Sequence, residues 1–92
     1  MKVINKYHNV PYDVYIGRGS PFGNPYVIGP DGDRGEVIEK YRQYFLKRIE
    51  EDPIFKDNVI GLRGKTLACF CKPKACHGDI IIEWLNSQTI TV

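Results

Sequence analysis

The sequence lacks any apolar run of the ~18 residues that a membrane span needs. Its first residues also lack the charged and apolar regions of a secretory leader. A membrane partner is therefore excluded from the expectations, and the expected location is cytoplasmic. Cysteine is scarce and odd in number, three in all, which rules out a fully paired disulfide framework. In a reducing compartment that leaves unpaired or metal-bound thiols. The net charge of +2 is too small for the electrostatic footprint of a nucleic-acid binder, so nucleic acid is not an expected partner, whereas a local anion site is compatible with it. There is no internal repeat and no low-complexity stretch. Neither a paired-carboxylate constellation nor a Ser-His-Asp set is visible, which argues against the familiar hydrolase mechanisms.

What is present suits one small domain spanning residues 1–92. The chain is 42% apolar and 26% charged, ordinary values for a globular core and a solvated surface. At this length burial on folding is incomplete. A metal or a second copy of the chain is thus an expected source of added stability, and a homo-oligomer interface is an expected way to complete a pocket.

Patterning gives the order of elements. A β-compatible run covers Lys2 to Tyr7, and a second, Asp13 to Gly17, stops at glycine. Counted from Gly17, the stretch to Asp33 holds five glycines and three prolines, too many for a helix or a central strand. A loop of this length inside a small domain is expected to be ordered and functional. Val37, Ile38, Tyr41, Phe45 and Ile49 then recur at helical spacing from Arg34 to Glu51. Asp33 followed by Glu36 makes a capping box, and Asp52-Pro53 ends that helix and starts a shorter one, Pro53 to Ile60. Thr66 to Cys71 is the best strand, Lys72 to Ala75 a turn around Pro73, and Gly78 to Asn86 a helix. Thr89 to Val92 reads as an edge strand. The expected fold is α/β: a small Rossmann-like single domain with a short, partly parallel sheet flanked by helices.

The segment from Cys69 to Gly78 holds all three cysteines and one of the two histidines. Three chemical readings compete with a plain core role. As a metal site, Cys69, Cys71, Cys76 and His77 are all zinc ligand types, and Cys69 and Cys71 share a strand face, but the spacing is not that of a zinc knuckle. No cofactor is otherwise expected. As a catalytic site, Cys76 stands at a helix N-terminus near Lys72 and Lys74, where a thiol pKa falls, with His77 as base and Asp79 orienting it. As a ligand site, a strand, a turn and then Cys76-His77-Gly78-Asp79 opening a helix present backbone N–H groups and Lys72 to an anion, at the carboxyl end of a strand. Cys69 is also the natural core residue of a central strand.

The glycine-rich loop supplies the opposing wall. Arg18 between Gly17 and Gly19 suits a phosphate or carboxylate. Asn24 either holds the loop through an Asx bond or reads a base edge, and Phe22 and Tyr26 either stack on a base or plug the loop onto the core. Arg34 falls in the first turn of a helix, where the dipole disfavours a cation, so it either pairs with Asp33 or Glu36 or reaches a bound anion. Tyr41 reads as core. The leading expectation is a binding protein for a small phosphate-bearing ligand, a nucleotide or nucleotide derivative. The alternatives are a Cys/His-dependent enzyme acting on a nucleoside or nucleotide, and a small zinc-stabilised module.

Taken together, Tyr15, Gly17 and Arg18, then Gly23-Asn24-Pro25, Arg34 and Tyr41, then Gly64, Lys65, Leu67, Cys69, Cys71, Pro73 and Cys76-His77-Gly78-Asp79 resemble the domain of unknown function 4326 family, over nearly the whole chain. The resemblance implies an α/β fold and groups these motifs into one site. It implies no reaction. The family comprises small bacterial and phage proteins, and phage membership adds the expectation that the ligand is a nucleotide-derived immune signal sequestered from the host.

Overall fold

The computed structural model describes residues 2–8, 11–70 and 76–88. Cys71, Lys72 and the rest of the turn around Pro73, like the expected edge strand at 89–92, lie outside the described residues. Strand β1 (Lys2–Asn5) is followed by a short 3-10 turn, Lys6–His8, then by β2 (Val14–Tyr15). Helices α1 (Arg34–Glu51) and α2 (Pro53–Ile60), strand β3 (Thr66–Cys69) and helix α3 (His77–Ser87) complete the order. The three described strands form one sheet in the order β1-β3-β2, and both pairings are parallel. The partly parallel sheet expected from the sequence is wholly parallel over the described residues.

Local chemistry sets most of these boundaries. β1 is shorter than its apolar run because the Asn5 side-chain oxygen accepts the Tyr7 amide at 2.9 Å, an Asx turn that ends the strand. β2 is brief, but Asp13 N–H to Thr66 O and Ile16 N–H to Ala68 O, each 2.9 Å, extend its attachment to β3 on both sides. In α1, Asp33 accepts the Glu36 amide at 2.9 Å and Glu36 accepts the Asp33 amide at 3.1 Å, the reciprocal capping box. Asp52 closes α1 and caps α2 by accepting the Phe55 amide, with Pro53 at the first helical position. α3 begins at His77, one residue earlier than the apolar pattern indicates, because Cys76 is its N-cap.

The core gathers Val37, Tyr41 and Phe45 of α1 with Phe55 and Val59 of α2, Leu67 to Cys69 of β3, and Ile80, Ile81 and Leu85 of α3. Tyr41 stacks on Phe45 with centroids 5.8 Å apart, and Phe55 and Trp84 meet Phe45 edge-on at 5.7 and 6.0 Å. β3 is buried at three successive positions, as the middle strand of a parallel sheet must be. α3 packs on β1 and both other helices, and Gly78 is what lets it approach. A Cβ there would sit 2.7 Å from Ile16 Cδ1 and 2.8 Å from Val3 Cγ2. Among the described residues no helix is long and apolar enough to cross a membrane.

Candidate functional site

The carboxyl ends of β2 and β3, the N-terminal turns of α1 and α3, and the loop between them enclose a cleft of about 350 Å³. This is where parallel α/β sheets place ligands. Its size falls in the usual range for small-molecule sites, roughly 300–1,000 Å³.

The 17–33 loop is ordered by its own side chains. Ser20 Oγ donates to the Gly17 carbonyl at 2.7 Å, and the Ser20 amide reaches the same oxygen at 3.0 Å. The Tyr15 ring folds back over Gly17, leaving no room for a Cβ, and its hydroxyl donates to the Arg18 carbonyl at 3.0 Å. Asn24 settles the choice of roles given to it. Its Oδ1 accepts the Tyr26 amide at 2.9 Å, the Asx bond, and its Nδ2 donates to the Val37 carbonyl at 3.1 Å, pinning the loop to α1. Asn24 still contributes to the cleft surface, as do Gly17, Arg18, Tyr26 and Arg34. Phe22 does not. It is buried, with its ring 6.2 Å from Phe55, and its carbonyl accepts the buried Tyr41 hydroxyl at 2.9 Å. Phe22 is thus the plug that fastens the loop to the core. Gly19 lies exposed at a left-handed turn (φ 93°) and does not line the cleft.

On the other wall, Cys69, Cys76 and His77 line the cleft, whereas Gly78 and Asp79 do not. The reason is the cap. Cys76 Sγ accepts the Gly78 amide at 3.3 Å, Cys76 O accepts the Asp79 amide at 2.9 Å, and Asp79 Oδ2 accepts the Cys76 amide at 3.1 Å. The amides of Gly78 and Asp79 expected to cradle an anion are therefore turned into the helix's own capping box. Asp79 does not orient the imidazole either. His77 Nε2 instead lies 2.6 Å from the Ile16 carbonyl. A carbonyl only accepts, so Nε2 carries the proton and Nδ1 is left as the acceptor, 3.6 Å from Cys76 Sγ. The ring is buried and meets Tyr41 edge-on, with centroids 5.1 Å apart.

Electrostatically the cleft is positive. Arg18 and Arg34 line it and no described carboxylate does. Arg18 donates to the Tyr26 carbonyl at 3.3 Å and forms no ion pair with a described residue. The remaining described lining is apolar and aromatic: Val27, Ile28, Val37, Ile38 and Phe70. Sequence reasoning missed these five. Isolated valines and isoleucines in a loop carry no ligand signal, and Val37 and Ile38 belong to a helix pattern that reads as core. Among the described residues no group of three His, Cys, Asp or Glu side chains is placed to hold a metal. The fourth expected ligand, Cys71, is outside them.

Burial pushes the His77 pKa below its ordinary value of 6.5, the nearby Arg18 charge adds to that, and the hydrogen bond to Ile16 and the Asp79 charge oppose it. The unfolded chain then binds more protons than the folded one as pH falls below about 6.5, so the stabilisation is complete above that pH and is lost as pH falls through the folded value. Urea midpoints are expected to rise between pH 5 and 7, with a slope of at most about 1.4 kcal/mol per pH unit for this one proton. His77→Gln, whose amide can still donate to Ile16 O, should flatten that slope. An equal slope in the variant would assign the effect to other groups.

A short parallel α/β domain with a basic, apolar-walled cleft at its strand ends defines the class. The chain belongs to the family described as "Domain of unknown function (DUF4326)", whose model matches residues 2–87. It is also similar to an "Uncharacterized 12.4 kDa protein in nrdA-td intergenic region" of Enterobacteria phage T4, 45% identical over 85 residues, covering 92% of this chain and 77% of the phage protein. No solved structure matches it.

Proposed function

We propose that the cleft binds a nucleotide or nucleotide-derived small molecule through its phosphate groups. The supporting observation is the pairing of two guanidinium groups, Arg18 and Arg34, with apolar and aromatic walls in a cleft that has no described carboxylate. Arginine's planar fork matches phosphate oxygens, and Tyr26 and Phe70 offer faces for a base. The position at the ends of parallel strands fits a Rossmann-like reading of the fold. Sequestration of a host signal nucleotide in the cytoplasm is the use proposed for such a cleft. The test is a thermal-shift screen over nucleosides and their mono-, di- and triphosphates, with mass spectrometry of molecules released from the purified protein. Shifts that grow with phosphate number support the reading. Equal shifts for nucleosides and nucleotides, or none, would overturn it.

One observation favours a second reading, an enzyme acting on the same class of ligand. The unprotonated Nδ1 of His77 faces the Cys76 thiol at the cleft. Turnover of a nucleotide, lost in Cys76→Ala and His77→Ala, would support it, whereas a ligand recovered intact supports binding alone.

A further inference from the structure

Cys69 ends β3 and Cys76 caps α3, with six residues between them in the sequence. At the cleft their Sγ atoms stand 2.8 Å apart. Both residues are 1% exposed and both contribute to the cleft surface, so only a small reagent entering through the cleft meets them. A disulfide has an S–S distance of about 2.05 Å, which leaves less than about 1 Å of approach to be made.

The two thiols are not equivalent. Cys76 stands at the positive end of the α3 dipole, and its sulfur accepts the Gly78 amide. The lone pair on His77 Nδ1 points at it from 3.6 Å, an orientation fixed by the bond from Nε2 to the Ile16 carbonyl. The helix end and the Gly78 amide favour a thiolate, and His77 Nδ1 is placed to accept the thiol's proton. Cys69 ends a buried strand and is not itself a helix cap. One thiol placed to react first, with a second in contact to resolve it, is the arrangement of a redox-active pair.

We propose that Cys69 and Cys76 form a reversible dithiol–disulfide couple, oxidised by hydrogen peroxide or a related small hydroperoxide admitted through the cleft. The Cys76 proton passes to His77 Nδ1. The thiolate sulfur attacks one peroxide oxygen, the O–O bond breaks, and the departing hydroxide takes the proton from His77 and leaves as water, so Cys76 becomes a sulfenic acid. The Cys69 sulfur then attacks Cys76 Sγ, the S–O bond breaks, and hydroxide leaves with the Cys69 proton as a second water. Two thiols lose two electrons in all and one peroxide gains them. An external dithiol reverses the change by thiol–disulfide exchange. The new bond ties the end of β3 to the start of α3 across the cleft floor. This couple does not depend on what the cleft binds.

The reduced protein is treated with one equivalent of hydrogen peroxide, unfolded in guanidinium chloride with N-ethylmaleimide present to block every remaining thiol, and its peptides are mapped by mass spectrometry. The expected product is a Cys69–Cys76 cross-link that dithiothreitol removes. Cys71→Ser should form the same link. Cys69→Ser should stop at a Cys76 sulfenic acid that dimedone traps, and Cys76→Ser should give neither product. His77→Gln should slow the reaction at least about tenfold while far-UV circular dichroism stays unchanged. The wild-type map decides the matter even if a cysteine variant fails to fold. Cys69 and Cys76 both remaining alkylated after peroxide, or a cross-link running through Cys71 instead, would overturn the proposal.

Discussion

Phe45→Ala is expected to cost about 3–5 kcal/mol of stability, the range for truncating a fully buried aromatic. Phe45 is 0% exposed and lies where α1, α2 and α3 converge. Its ring stacks on Tyr41 and is met edge-on by Phe55 and Trp84, so truncation both removes the transfer free energy of the ring and opens a void that three aromatic neighbours border. Those neighbours are themselves held. The Tyr41 hydroxyl donates to the Phe22 carbonyl, and the Phe55 amide is bound to Asp52. Collapse into the void would break these bonds, so relaxation recovers little. Small domains hold only about 5–15 kcal/mol in total, and a loss of this size should lower Tm by at least about 12 °C. Leu46→Ala is the control. Leu46 is the next residue in α1 but is exposed, and its change should stay within about 0.5 kcal/mol. Equal shifts in the two variants would mean that α1 presents a different face to the core.

The same pair shows why α1 was legible in the sequence. The apolar stripe from Val37 to Ile49 and the Asp33, Glu36 and Asp52-Pro53 signals are local, and each acts within one helical turn of where it is written. The central strand was legible for a related reason, because an unbroken apolar run between a glycine turn and a cysteine segment has few other uses. The site was readable only in part. The two arginines, Asn24, Tyr26, Cys76 and His77 do share one cleft. Phe22 and Tyr26, four residues apart in one loop, have opposite fates, core plug and cleft wall, and only the tertiary path of the loop separates them. The fate of the α3 amides was hidden because a sulfur N-cap stands outside the usual Ser, Thr, Asp and Asn set. Read without it, the helix N-terminus offers its N–H groups to a ligand. With it, the amides of Gly78 and Asp79 are already bound, and among the described residues the positive charge of the cleft falls to Arg18 and Arg34.

That transfer of charge from backbone to side chains gives the second large expectation. Arg18→Ala with Arg34→Ala should weaken binding of ADP and of inorganic pyrophosphate by at least about 100-fold, since each charge-assisted hydrogen bond is worth about 1.5–3 kcal/mol. Arg18→Ala alone should barely move apo stability, since Arg18 is exposed and its bond to the Tyr26 carbonyl is long, 3.3 Å. In Arg34→Ala the capping box of Asp33 and Glu36 still holds the start of α1. The single variants should not sum to the double if both guanidiniums grip one pyrophosphate, because the first loss already loosens the second contact. Arg18→Lys and Arg34→Lys separate charge from shape. A lysine restores long-range attraction but not the planar fork, so binding should recover only in part and depend more steeply on salt. Isothermal titration at two salt concentrations reads each of these outcomes. Undiminished affinity in the double variant, with its Tm intact, would take the phosphate grip away from these two arginines.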